Sequence, residues 1–165
     1  MWTIIKLDIK QIEIFKKDLQ KRLGKDFIIY NPKLLLQKYK KNKLINKEFN
    51  LLGDYAFCFH KNFADEKTIN NLKFTKGLKY FLGGFFKSQN EITNFIERCK
   101  NNENKQGYLS QNFFEINLDK KYKFLSGPFS DMIFNIIEVQ KNKISTLIGG
   151  VKTEIEKNNF LFKPI

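Results

Sequence analysis

Residues 122–148 constrain the fold most. Tyr122-Lys123-Phe124-Leu125 runs into Ser126-Gly127-Pro128-Phe129-Ser130-Asp131, and two apolar runs follow over 133–139 and 144–148, parted by polar residues 140–143. Runs of strand length bounded by turn residues read as a compact β-meander. Gly127 tolerates positive φ and Pro128 fixes the next φ at about −65°, so the pair predicts a tight corner between strands.

The first half of the chain reads differently. Residues 2–7 form an apolar run with β-branched members, expected to be a central strand. Asp8 follows as a helix cap, with Gln11 placed to reach back to it. Ile12, Phe15, Leu19 and Leu23 then recur at helical spacing, with lysines opposite and Gly24 as the stop. A strand is expected at 27–30, ended by Asn31-Pro32. The basic stretch Lys33–Phe49 reads as an exposed hairpin or mobile arm with Asn42 and Asn46 in turns. Tyr55-Ala56-Phe57-Cys58-Phe59 is a second dense strand. A short helix is expected over 65–72, and a turn at Thr75-Lys76-Gly77 leading into a segment over 78–82 that Gly83-Gly84 ends. Ser88 and Glu91 form a capping box ahead of a helix that buries Ile92, Phe95, Ile96 and Cys99. The expected fold class is therefore α+β. A mixed β-sheet flanked by helices covers 1–100, a polar linker covers 101–116 with its run of asparagines, and a small C-terminal β-barrel covers 117–165.

A hydrophobic content of 42% with 18 phenylalanines is enough for a core, in one medium or two small domains. No run approaches the ~18 apolar residues of a membrane helix, and the opening residues do not resemble a signal peptide. With Cys58, Cys99 and the single His60 there is no zinc constellation, no metal and no cofactor to expect, and the cysteines read as reduced, buried thiols of a cytoplasmic protein. The net charge is +13, yet only Arg22 and Arg98 are arginine. Lysine supplies diffuse charge and is poor at bidentate recognition, so the excess favours non-specific closeness to nucleic acid over sequence readout. An enzyme is not expected: His60 stands apart from any carboxylate pair, and no phosphate-binding glycine loop is present.

In order along the chain, several segments together resemble the NusG-type transcription elongation and antitermination factors, including the RfaH-like specialised paralogues. Trp2 opens the first strand, and Leu51-Leu52-Gly53-Asp54-Tyr55-Ala56-Phe57 is similar to the family's Phe-Pro-Gly-Tyr-Val-Leu-Val strand. Thr75-Lys76-Gly77-Leu78 resembles its Thr-Arg-Gly-Val turn, and Phe81-Leu82-Gly83 its Phe-Val-Gly. Ser126-Gly127-Pro128-Phe129 and Thr153-Glu154-Ile155-Glu156 resemble elements of its C-terminal KOW barrel. The resemblance spans almost the whole chain. It implies an N-terminal NGN-like domain that grips the clamp helices of RNA polymerase, bridges the DNA cleft and suppresses pausing, in a monomer that stays off membranes and with the nucleoid.

By the same resemblance, Trp2, Leu52 and Tyr55 fall at polymerase-contacting positions, although packing of the sheet face is the alternative for the two aromatics. Thr68, Asn70 and Asn71 match the region where RfaH-like members touch polymerase across the cleft. Lys38, Lys40, Lys41, Lys43 and Lys47 match a hairpin that approaches upstream DNA or nascent RNA, with a solvated charge run as the equal alternative. Phe129 and Met132 match the loop positions through which the barrel binds the tenth small-subunit ribosomal protein or the termination factor Rho; either or neither is open here, and barrel core is the alternative for Phe129. The chain departs from the pattern at Leu52, at Gly53-Asp54, at Asp131, at Phe134 in place of the KOW glycine, and at Gly149. The rival reading is a stand-alone KOW-containing RNA-binding or ribosome-associated protein.

Overall fold

The computed structural model describes all residues 1–165 and divides into two compact units, Met1–Pro32 with Asn50–Glu97, and Lys33–Phe49 with Arg98–Ile165. No helix is long and apolar enough to cross a membrane.

The first unit is built on a four-stranded sheet of β1 (Trp2–Leu7), β2 (Ile28–Tyr30), β5 (Tyr55–Phe59) and β6 (Leu78–Phe81), in the order β2-β5-β1-β6. All three pairings are antiparallel, which corrects the mixed sheet expected from sequence. Strands β1 and β2 do run the same way, as a strand–helix–strand order suggests, but β5 comes between them and pairs with both. Strict alternation along β1 buries Thr3, Ile5 and Leu7 on one face and leaves Trp2, Ile4 and Lys6 half-buried on the other. The sealed face joins Phe15 and Leu19 of α1 (Ile12–Leu23) and Ile69 and Leu72 of α2 (Glu66–Leu72) in one core. Thr3 is accommodated there because its hydroxyl donates to the Cys58 carbonyl at 3.1 Å. Asp8 does cap this region, accepting from the Lys10 amide ahead of a short 3-10 turn, but Gln11 meets its carboxylate rather than its backbone. The Thr75-Lys76-Gly77 turn packs on α1: Gly77 has φ +82°, and a Cβ there would meet the Gln11 carbonyl at 2.9 Å and the Phe15 Cβ at 3.0 Å.

The second unit contains a hairpin, β3 (Lys33–Lys40) and β4 (Lys43–Asn50, its last residue counted with the first unit), and an antiparallel five-stranded sheet. That sheet comprises β7 (Lys121–Phe124), β8 (Ile133–Val139), β9 (Lys143–Ile148), β10 (Val151–Glu156) and β11 (Phe162–Pro164), in the order β10-β9-β8-β7-β11. The meander is thus present. Strands β10 and β11 stand at the two ends of the ladder, so the expected barrel is represented by its strands without a recorded closure. Its core is aromatic: the Phe124 and Phe134 rings stack at 4.1 Å, and Tyr122 and Phe162 meet edge to face at 5.4 Å. Phe134 is a principal core residue.

Three sequence expectations change here. The hairpin is ordered and belongs with the C-terminal strands: Gln37 donates its amide to the Leu125 carbonyl at 2.8 Å, its side chain accepts from Gly127 at 2.7 Å, and its carbonyl accepts from the Ser130 hydroxyl. Its turn is Lys41-Asn42, both at positive φ, whereas Asn46 lies in β4 and accepts from the Gln37 side chain. The stretch 101–116, read as a linker from its asparagines, is packed. Leu109, Gln111 and Phe113 are buried, and Gln111 accepts from the Phe162 amide at 2.9 Å. Its α3 neighbour (Gln89–Asn101) holds the boundary between the units, after Glu97.

Gly127 combines φ +79° with the Phe160 ring lying where a Cβ would stand. Replacement of either Gly77 or Gly127 by Ala is expected to destabilise its own unit by at least ~1–3 kcal/mol from the left-handed backbone alone, read as a lowered urea midpoint. In addition, Gly77→Ala must displace the Gln11 carbonyl and Gly127→Ala the Phe160 ring. An unchanged midpoint in both would refute the packing at these turns.

Candidate protein-docking groove

On the half-open face of the first sheet lies a groove of about 560 Å³ lined by Ile4, Leu52, Tyr55, Phe57, Leu82, Ser88, Glu91, Ile92 and Phe95. Strand alternation puts Ile4 and its cross-strand partner Phe57 on this face, two residues from Lys6 opposite Tyr55. Leu52 enters from the turn before β5, in which Gly53 takes φ +61°. Leu82 is held beside Ile4, its amide donating to the Ile4 carbonyl at 2.8 Å. Helix α3 forms the far wall, with Ile92 and Phe95 one turn apart and the Phe95 ring 5.8 Å from Phe57. Among the lining residues only Ser88 and Glu91 are polar beyond the Tyr55 hydroxyl, so the groove offers apolar area that water solvates poorly.

One end carries a polar lip. The hydroxyls of Tyr55 and Tyr80 are 2.9 Å apart, and the Lys6 ammonium lies 5.1 Å and 5.7 Å from their ring centroids. The hydrogen bond with Tyr80, followed by the nearby Lys6 charge, makes Tyr55 the more acidic phenol; Tyr80 shifts upward. The two tyrosines in turn hold the Lys6 ammonium above its ordinary range. Lys79 and Asp54 form an exposed pair at 3.6 Å beside them.

The sequence-expected site residues are dispersed. Leu52 and Tyr55 line the groove; Trp2 does not. It shares their sheet face but packs against Phe59 at 5.3 Å, and the Gln89 side chain bonds both its amide and its carbonyl, at 3.0 Å and 2.7 Å. Thr68, Asn70 and Asn71 are on α2, away from the groove lining. The Thr68 hydroxyl and amide serve the Asp65 cap, Asn70 is exposed, and the Asn71 carbonyl accepts from Arg22 at 3.4 Å. Lys38, Lys40, Lys41, Lys43 and Lys47 are exposed on the hairpin of the second unit. Phe129 packs on Phe124 at 5.6 Å and on Phe160 at 6.0 Å, while Met132 is exposed. Asp131 takes φ +72°, in the left-handed region that favours glycine, and pairs with Lys123 at 2.9 Å, which keeps its carboxyl below the usual range.

Sequence reasoning missed Ile4, Leu82, Lys6 and Tyr80, and assigned Phe57 and Phe95 to the core alone. The one available signal was alternation along β1, which puts Ile4 and Lys6 on the face opposite Ile5. The register that brings Tyr55 and Tyr80 beside Lys6 has no local sequence mark.

No family model and no curated protein matches this chain. Among solved structures, a chain of the MjSpt4:Spt5 complex in conformation B aligns at 11% identity with a TM-score of 0.33, covering 100% of this chain and 99% of its own. Thermotoga maritima NusG, in a structure describing its domain interaction, aligns at 15% identity with a TM-score of 0.31, covering 99% and 96% respectively.

Proposed function

We propose that the chain is a NusG-type transcription elongation factor, not an enzyme, that seats the clamp helices of RNA polymerase in the groove of its first unit. The observation that carries this reading is that Leu52 and Tyr55, the two residues at family polymerase-contacting positions in the turn and strand β5, open onto one apolar groove walled by α3. A helical hairpin presenting apolar side chains fits such a groove, with aromatic walls as anchors. On this reading the factor suppresses pausing from a place on the nucleoid, as general or RfaH-like antitermination factor, and its second unit recruits Rho or the tenth small-subunit ribosomal protein near Phe129 and Met132. Packing of Phe129 against two core rings makes Met132 the more accessible of that pair.

The rival, a ribosome-associated or RNA-binding protein, is favoured by one observation. The second unit holds 17 of the 30 basic residues against 8 acidic ones, so it carries +9 of the net +13. Retention on polymerase without RNA separates the two. Leu52→Ser with Tyr55→Ala should weaken retention of the clamp-bearing subunit by about ten-fold or more, the range of anchor residues, with the thermal midpoint nearly kept because both side chains are half-exposed. Undiminished retention of a folded double variant would overturn the docking assignment, and co-sedimentation with ribosomal subunits in place of polymerase would establish the rival.

A further inference from the structure

The second unit contains a cleft of about 460 Å³ that neither the groove nor the hairpin explains. That volume lies within the ~300–1,000 Å³ usual for small-molecule sites. Asn101, Asn112, Asn158 and Asn159 border it with Tyr108 and Phe160. The four asparagine side chains make no hydrogen bond within the protein, and each amide offers a donor and an acceptor on one plane.

Hydrogen bonds and buried side chains hold the frame around them. Asn104 folds the 102–110 loop by accepting from the Gln106 and Tyr108 amides, at 2.9 Å and 3.1 Å, and its own amide donates to the Tyr108 carbonyl at 2.8 Å. Tyr108 is fixed through its hydroxyl, which donates to Glu48 at 2.6 Å. The floor is buried: Leu109, Ser126 and Leu161, with the Ser126 hydroxyl accepting from the Leu161 amide at 2.7 Å. Phe160 is half-buried, pressed on Gly127 and met edge to face by Phe124 and Phe129, both with centroids 6.0 Å away.

Charge discriminates among occupants. The lining has no lysine or arginine, so nothing in the cleft itself neutralises a phosphate. The surrounding unit is strongly basic, with Lys105 and Lys157 close in sequence to lining residues and the hairpin lysines in the same unit. A neutral, planar, amide-like group on a polyanionic chain satisfies both conditions. We infer that this cleft receives one unstacked nucleobase of a single-stranded nucleic acid. The base stacks on Phe160 and pairs its edge with the asparagine amides, while lysines outside the cleft meet the adjoining phosphates.

The test is fluorescence anisotropy of the full chain with a labelled short oligouridylate and with an abasic strand of equal length and charge. Oligouridylate should bind about ten-fold or more tightly than the abasic strand, as stacking on an aromatic platform implies. Phe160→Leu should remove that advantage and leave abasic binding unchanged, whereas Lys41→Gln with Lys43→Gln should weaken both strands and flatten their salt dependence. Equal binding of the two strands by the unaltered chain, or an equal loss of both in Phe160→Leu, overturns the proposal. Should Phe160→Leu not fold, photocrosslinking of a 5-iodouracil strand to the unaltered chain decides. Adducts on Phe160 or Tyr108 uphold the base seat, and adducts confined to Lys33–Phe49 refute it.

Discussion

The antiparallel register of β1 against β5 governs the first unit. It sets Thr3 against Cys58, Ile5 against Ala56, and Ile4 against Phe57. Each strand therefore shows one face to the helical core and the other to the groove. Slippage by one residue would exchange Ile4 with Ile5 and turn Thr3 away from its carbonyl partner. The buried face stabilises the unit through apolar area and a satisfied hydroxyl. The opposite face is left with more aromatic surface than α3 covers, so the groove follows from the fold rather than being added to it.

In the second unit the corresponding role falls to Gln37. Its backbone and side chain together meet Leu125, Gly127 and Ser130, so a hairpin rich in exposed lysine is fastened at the corner where β7 ends. That corner exists because Gly127 lets the Phe160 ring approach the main chain, and the same ring continues into the Phe124–Phe134 stack. A basic arm, an aromatic core and the asparagine-lined cleft thus share one anchoring point.

Periodicity made much of this legible. Ile12, Phe15, Leu19 and Leu23 marked α1, the 2–7 run marked β1 to its ends, and the apolar runs after Pro128 marked β8 and β9. These are local patterns, set by neighbours within a few residues. The hairpin's location was hidden because Gln37, an unremarkable polar residue, finds its partners about ninety positions away. Composition misled over 101–116, where three buried residues, Leu109, Gln111 and Phe113, decide the packing of a largely polar stretch that contains four asparagines. Leu52 and Tyr55 were found by resemblance, whereas Lys6 and Tyr80 depended on strand register.

Burial of the two cysteines has a practical side. Cys58 is 1% exposed and Cys99 0%, and desolvation pushes the Cys58 thiol up to about 12. At neutral pH the thiolate that alkylating reagents need is almost absent from Cys58, and neither sulfur is open to them. A cysteine engineered onto the lip of either cavity would then be the preferred target for a spectroscopic label, with no background to remove first.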